Sequence, residues 1–233
     1  RKIKISFSSS DDDTAFSYIH DFGFIPKVKV IDGKDVRGFK VMMGGGLGAQ
    51  PILAHAIFDF LPSDEIIPYM EATLRVFDRH GERNNRNKAR FKYLIQKLGL
   101  DEVLSLIEAE KTAIKSKKFE IDLDAVVQPE PPTAVVEPVA PVDALAYEIW
   151  RQTNVFEQKQ KGYFGVYVKV LTGDIPTDKA RILVDGIRAH IADDIRITQD
   201  QNLLFKYVRE ESLPHIYNVL HDLGYASAGY DST

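Results

Sequence analysis

The sequence has no cysteine among its 233 residues. A chain without thiols cannot form a disulfide, a thiolate zinc site or an iron–sulfur cluster held by its own side chains. Its longest apolar runs fall far short of the roughly 20 residues that a membrane-spanning helix needs, and no charged segment followed by an apolar one opens it as a signal peptide would. These absences predict a cytoplasmic protein that neither crosses nor binds a membrane.

The sequence also has little net charge, at −4 with 30 basic and 34 acidic residues. That balance does not favour general nucleic-acid binding. The basic residues are nevertheless unevenly spread, because residues 79–92, RHGERNNRNKARFK, contain six Lys or Arg against a single acid, Glu82. Such a cluster indicates a local anion site. The alternative is an ordinary solvated helix face.

A proline-rich stretch divides the chain. Residues 128–143, QPEPPTAVVEPVAPVD, contain five prolines among small residues, which removes backbone donors and favours an extended, stiff linker. We expect an α+β protein with a first domain at residues 1–122, a linker at 123–143 and a second domain at 144–233.

Hydrophobic periodicity assigns the elements of each domain. In the first domain it predicts strands at residues 2–7, 28–31 and 36–43, with an Asp32-Gly33 hairpin turn, and helices at 15–22, 51–60, 66–80, 86–98 and 101–115. In the second it predicts helices at 144–152, 177–191 and 213–223 and strands at 163–171, 195–198 and 202–208. The second order resembles a ferredoxin-like unit with antiparallel strands.

Two basic patterns are candidate anion sites. Side chains alternate along a strand, so Lys2, Lys4 and Ser6 are expected on one face. Two ammonium groups side by side form an anion cradle, although lysines also protect edge strands from aggregation. On the predicted helix, Arg86 and Arg90 lie one turn apart, where guanidinium groups can grip carboxylates or phosphates. An ordinary basic helix face is the alternative.

A glycine-rich turn follows the second hairpin strand. The segment FKVMMGGGLGAQP, residues 39–51, contains Gly44, Gly45, Gly46 and Gly48. Bare backbone allows close approach of a ligand, but the spacing fits neither the dinucleotide fingerprint nor the P-loop. The six histidines show no metal-ligand spacing, so no metal site is predicted within this chain.

Five motifs in register resemble one family, the sirohaem-dependent sulfite and nitrite reductases. They are RKIKISF, GFKVMMGGGLG, ERNNRNKARFKYLI, QKQKGYFGVYVKVLTGDI and IRITQDQNLLFKYV. The resemblance implies a sirohaem/iron–sulfur reductase-type α/β domain followed by a ferredoxin-like half-domain. In the family these are the first large domain and the second half-domain of a protein with two pseudo-symmetric halves. The chain is therefore expected to be a fragment of a longer enzyme.

The resemblance also implies residue roles at the start of the chain. Lys2 and Lys4 match the two lysines that reach the substrate anion over the iron, so they are the predicted catalytic residues. Arg1 matches an adjacent arginine that contacts a cofactor carboxylate.

Further cofactor contacts are implied downstream. Arg90 matches a basic helix residue that holds another sirohaem carboxylate, and Arg86, on the same predicted helix face, is grouped with it. Gly44, Gly45 and Gly46 match a turn that brings backbone amides against the sirohaem.

The implied chemistry is multi-electron reduction of sulfite to sulfide or nitrite to ammonia at the sirohaem iron, coupled through a cysteine ligand to a 4Fe-4S cluster. The protein would bind the anion, desolvate it and supply protons. The partners implied are sulfite or nitrite, the missing domains of the same polypeptide, and a ferredoxin or flavoprotein electron donor. Because the cluster cysteines lie outside this chain, we expect the isolated chain to hold neither cofactor and to be inactive.

Two further expectations follow from the same resemblance. A non-catalytic binding or scaffold protein that keeps the fold without the redox centre is the alternative function, and a C-x5-C and C-x3-C set in the parent gene would instead support the enzyme. The half-domain has lost the partner that would cover its strand edge, which predicts a homodimer through residues 144–226.

Overall fold

The computed structural model describes residues 2–122, 125, 129–133 and 136–230. The chain forms two compact units, Arg1–Ala125 and Val126–Thr233. Both combine helices with a four-stranded sheet, as the α+β prediction requires. No helix within the described residues is long and apolar enough to cross a membrane.

The first unit is built on the strands Ile5–Phe7 (β1), Phe22–Ile31 (β2), Lys34–Met43 (β3) and His55–Pro62 (β4), in that spatial order. β1 runs parallel to β2, and the other pairs are antiparallel. The β2–β3 hairpin turns at Asp32 and Gly33, which have φ of 51° and 75°. Positive φ at both central residues is typical of the tight hairpin turn that the sequence predicts here.

Three helices follow the strands of this unit, namely Ile66–His80 (α1), Phe91–Leu98 (α2) and Leu100–Ala113 (α3). They form a core with the fully buried Phe22 and Phe24 of the sheet. Phe91 opens α2 and stacks on Phe22 at 6.3 Å between ring centroids. The predicted bounds of α1 are confirmed.

Three of the helix predictions in this unit need correction. Residues 51–60 are not helical, because the apolar run from His55 pairs with β3 as strand β4, and a short apolar run fits either period. Residues 15–22 contain only the 3-10 turn Ser17–Ile19 before β2 begins. The predicted helix at 86–98 is interrupted at Arg90, which is extended (φ −107°, ψ 154°) between the 3-10 turn Arg86–Lys88 and α2.

The second unit contains the helices Ala144–Asn154 (α4), Thr177–Ile187 (α5) and Leu213–Leu223 (α6). Its strands are Val155–Glu157 (β5), Phe164–Val168 (β6), Ile195–Ile197 (β7) and Leu203–Val208 (β8). The spatial order is β5-β6-β8-β7 with every pair antiparallel. The antiparallel pairing was predicted with the ferredoxin-like unit, whereas strand β5 was not. The predicted bounds of α6 are confirmed, and Gly224 ends it in the left-handed conformation (φ 80°), which glycine adopts without penalty.

The core of the second unit is aromatic at its centre. Trp150 of α4 is fully buried beside Tyr217 of α6, with ring centroids 5.3 Å apart. Val166 and Phe205 of the sheet belong to the same buried cluster. Trp150 thus has a packing role in this core.

Candidate functional site

A buried carboxylate, that of Asp21, connects three of the predicted site segments in the first unit. Asp21 is fully buried. Its Oδ2 accepts hydrogen bonds from the backbone N–H of Lys4 at 2.8 Å and from Nη2 of Arg90 at 2.7 Å, and its Oδ1 accepts from Nε of Arg90 at 3.2 Å. Its backbone carbonyl accepts from the N–H of Gly44 at 2.9 Å. The lysine segment, the glycine turn and Arg90 therefore meet at one residue.

The side chains of Lys2 and Lys4 are exposed. Among the described residues neither ammonium group has a carboxylate partner, so both charges face solvent uncompensated. Ser6 departs from the expected polar face, because it is buried while its neighbours Ile5 and Phe7 are 42% and 53% exposed. The predicted alternation thus gives two exposed lysines, without the serine.

The amides of the glycine turn are engaged within the chain. The N–H of Gly45 donates to the carbonyl of His20 and that of Gly46 to the carbonyl of Ile52, both at 2.9 Å. With the N–H of Gly44, which donates to Asp21, all three of these amides form hydrogen bonds within the chain. Gly44, Gly45 and Gly46 are also buried, so the turn is packed against its own chain.

The reason for glycine differs along the turn. Gly44 has a φ of +88°, and an added Cβ would lie 2.4 Å from Cδ1 of Ile95. At Gly46 a Cβ would lie 3.3 Å from Nη2 of Arg90. The turn and the arginine are thus in direct contact, which brings two of the predicted cofactor-binding groups together.

The other predicted cofactor residues are placed differently. Arg86 is exposed in its 3-10 turn and does not continue a helical stripe with Arg90, because the chain is extended between them. Asn85 caps that turn, accepting from the N–H of Asn87 at 3.0 Å. Arg1 lies outside the described residues.

Lys92 is a site residue that the sequence interpretation missed. Only 2% of it is exposed, and its Nζ donates to the carbonyls of Gly46 at 3.3 Å, Leu47 at 3.2 Å and Gln50 at 2.5 Å. Burial, and after it the charge of Arg90, lower the pKa of Lys92 below its usual value. A lysine directly after Phe91, at the buried start of a helix, is the sequence signal for such a role.

Asp21 was missed as well. Its signal is a single acid between His20 and the apolar start of β2, where an ionised side chain needs partners to be buried. Arg90 and Asp21 are 69 positions apart in the chain. No local sequence pattern indicates that they form a pair.

The residues of this site suit a polycarboxylate ligand better than a metal cluster. Arg90 binds Asp21 through Nε and Nη2, and among the described residues Nη1 has no partner, so a second edge of the guanidinium remains for another carboxylate. The described residues contain no cluster of His, Asp or Glu that would hold a metal ion. The sequence has no cysteine, so this chain supplies no thiolate for a 4Fe-4S cluster.

Comparison with known proteins gives two family matches. The family described as the nitrite and sulphite reductase 4Fe-4S domain matches residues 1–115, and the nitrite/sulfite reductase ferredoxin-like half domain matches residues 156–223. The structure of the Mycobacterium tuberculosis NirA protein superposes with a TM-score of 0.67 at 24% identity, covering 100% of this chain and 37% of the other. That likeness supports the fold.

Curated relatives match along most of the chain. The sulfite reductase (NADPH) hemoprotein beta-component of Afipia carboxidovorans is 28% identical over 96% of this chain and 35% of its own length. The chloroplastic ferredoxin–nitrite reductase of Oryza sativa is 27% identical over 91% of this chain and 32% of its own length. A Geobacillus kaustophilus hemoprotein beta-component is 40% identical over 46% of this chain.

The fold and the two matched domains define a segment of an α+β redox protein. Within that class, the chain belongs to the sirohaem-dependent nitrite and sulfite reductase family. It spans about a third of the length of the curated relatives that match it from end to end.

Proposed function

We propose that this chain is the part of a sirohaem- and 4Fe-4S-containing reductase that supplies two substrate lysines and part of the sirohaem pocket. The complete enzyme would reduce sulfite to sulfide or nitrite to ammonia. The observation that carries the proposal is the convergence on Asp21 of the lysine segment, the glycine turn and Arg90. That convergence supports the proposal, because it brings Lys4 and Arg90, the residues matched to substrate and cofactor, together in one unit of a member of this family.

The lysines are assigned to the substrate. The ammonium groups of Lys2 and Lys4 are exposed and lack carboxylate partners in the described chain, so they attract a small oxyanion and can donate protons as its oxygen leaves as water. Sirohaem, when bound, supplies electrons to that anion. Reduced ferredoxin or a flavoprotein is proposed as the electron donor, since relatives are named as ferredoxin-dependent and NADPH-dependent enzymes.

The remaining basic residues are assigned to the cofactor. Arg90 presents its unpaired guanidinium edge to a sirohaem carboxylate, and Arg86 and Arg1 are proposed to bind others. Gly44, Gly45 and Gly46 are proposed to let the backbone of the turn lie close to the flat macrocycle, because they carry no side chains. No ligand of the 4Fe-4S cluster is assigned here, because the chain has no thiol.

The test uses the complete polypeptide that carries this chain, with Lys2→Ala and Lys4→Ala. We expect each variant to lower sulfite or nitrite turnover by roughly 100-fold or more, the usual range for a lost proton donor. Stability should change by less than about 0.5 kcal/mol, because both side chains are exposed. Lys34→Ala, at the exposed start of β3, is the matched control.

Two outcomes contradict the proposal in different ways. Normal turnover of both anions by both variants would remove the lysines from the mechanism. A complete polypeptide that binds no sirohaem and reduces neither anion would favour the scaffold alternative.

We also propose that the second unit forms a homodimer through residues 144–226. The edge strand β7 is exposed, with Ile197 81% accessible, and an uncovered strand edge recruits another strand. Light scattering across a concentration series tests this, and a mass near 26.3 kDa at every concentration would refute it.

A further inference from the structure

We propose that Asp21 is a positioning residue that holds the backbone of Lys4 and the guanidinium of Arg90 in one fixed relation. The inference rests on the proposed function of these two cations. It goes further because it assigns to a buried acid the geometry on which both depend.

The first part of the argument concerns the lysine segment. Lys4 lies directly before β1, which begins at Ile5. Its carbonyl accepts from the N–H of Phe22 at 3.0 Å, and its own N–H is held by Asp21 at 2.8 Å. Asp21 is therefore the group that fixes the amide side of the Lys4 backbone and, through it, the direction in which the side chain leaves the backbone.

The second part concerns Arg90. This residue precedes α2 and has extended backbone angles, so no helical turn restrains its side chain. Asp21 grips it at two points, at 3.2 Å from Nε and 2.7 Å from Nη2. A two-point carboxylate contact fixes the plane of a guanidinium group, and it turns the Nη1 edge of Arg90 away from Asp21.

A positioning role of Asp21 and a simple effect of its negative charge predict opposite changes in anion binding when Asp21 is replaced. Asp21 carries a negative charge next to the proposed anion site, and by charge alone its removal strengthens anion binding. If Asp21 instead acts by orienting Lys4 and Arg90, its removal weakens anion binding even though the chain becomes less negative. A role in stability alone alters the unfolding midpoint and leaves the affinity of the folded protein unchanged.

The experiment is a titration of the complete polypeptide that carries this chain, prepared without sirohaem, with uroporphyrin, a metal-free porphyrin with several carboxylates, followed by porphyrin fluorescence. We expect saturable binding by the unmodified polypeptide and a loss of roughly ten-fold or more in affinity for Asp21→Asn, the range for a charged hydrogen bond. Asp35→Asn is the matched control, because it removes the same charge from the exposed hairpin and should leave the affinity unchanged or slightly higher.

A second variant covers the case in which Asp21→Asn fails to fold, which circular dichroism and urea unfolding will reveal. Arg90→Lys keeps the positive charge but loses the two-point contact, and it should also weaken binding by roughly ten-fold. Folded variants that bind as well as the unmodified polypeptide, or better, would overturn the positioning role alone. Absence of saturable binding by the unmodified complete polypeptide would overturn the proposed pocket as well.

Discussion

Gly45→Ala is expected to destabilise the first unit strongly. Gly45 does not have a left-handed φ, so alanine meets no backbone strain and would ordinarily stabilise by about 0.4–1 kcal/mol. The obstacle is space. An added Cβ would lie 2.4 Å from the carbonyl oxygen of Tyr18, 2.8 Å from that of His20 and 3.0 Å from the N of Ala54, and all three are backbone atoms.

The expected magnitude follows from what must move. The Tyr18 carbonyl accepts from the N–H of Ala54 at 2.7 Å, and the His20 carbonyl from the N–H of Gly45 at 2.9 Å. Weakening both bonds costs about 1 kcal/mol each, and overpacking adds about 1–3 kcal/mol. After the entropic gain, the free energy of unfolding should fall by about 2–4 kcal/mol.

Urea unfolding measures this loss, and Gly48→Ala is the matched control in the same turn. Gly48 has a φ of +108° but nothing within 4 Å of an added Cβ, so only backbone strain of about 1–2 kcal/mol applies. If Gly45→Ala loses no more stability than Gly48→Ala, the close approach of the three segments at Gly45 is refuted.

Two other predictions concern buried cations and acid stability. Lys92→Met removes three hydrogen bonds to the loop after the glycines, so amide exchange of that loop should rise by roughly ten-fold in mass-spectrometric measurements. The exposed Lys97→Met on the same helix should not change it, and equal exchange in both variants would contradict the anchoring role. In the second unit, the pKa of His190 is lowered below 6.5, first by burial and then by the charge of His215. The two imidazole rings are stacked, with their centroids 4.1 Å apart. The unfolded chain then binds this proton more tightly, so stability present above pH 6.5 is lost as the pH falls from 6.5 to the lowered pKa. Urea unfolding over a pH series should show a shallower loss for His190→Gln, and an unchanged slope would argue against it.

Local patterns predicted the elements whose signals agree with each other. α1 and α6 have long apolar periods, and α6 also has a glycine stop, so their bounds followed from the sequence. The β2–β3 hairpin followed from alternation and the Asp32-Gly33 turn. The segment from His55 was predicted as a helix, but a short apolar run fits a strand equally well. Its pairing with β3 makes it a strand.

The sequence by itself determined the α+β class, the ferredoxin-like second unit, the exposed lysines at residues 2 and 4 and the presence of a glycine turn. The tertiary structure decided how the lysine segment, the glycine turn and Arg90 are connected through Asp21. Asp21 and Arg90 are 69 positions apart, and the need of a buried carboxylate for charged partners shows only when folding removes water from both. The same packing engages the glycine amides with other backbone carbonyls, because groups buried in a close approach of three segments must pair within the chain.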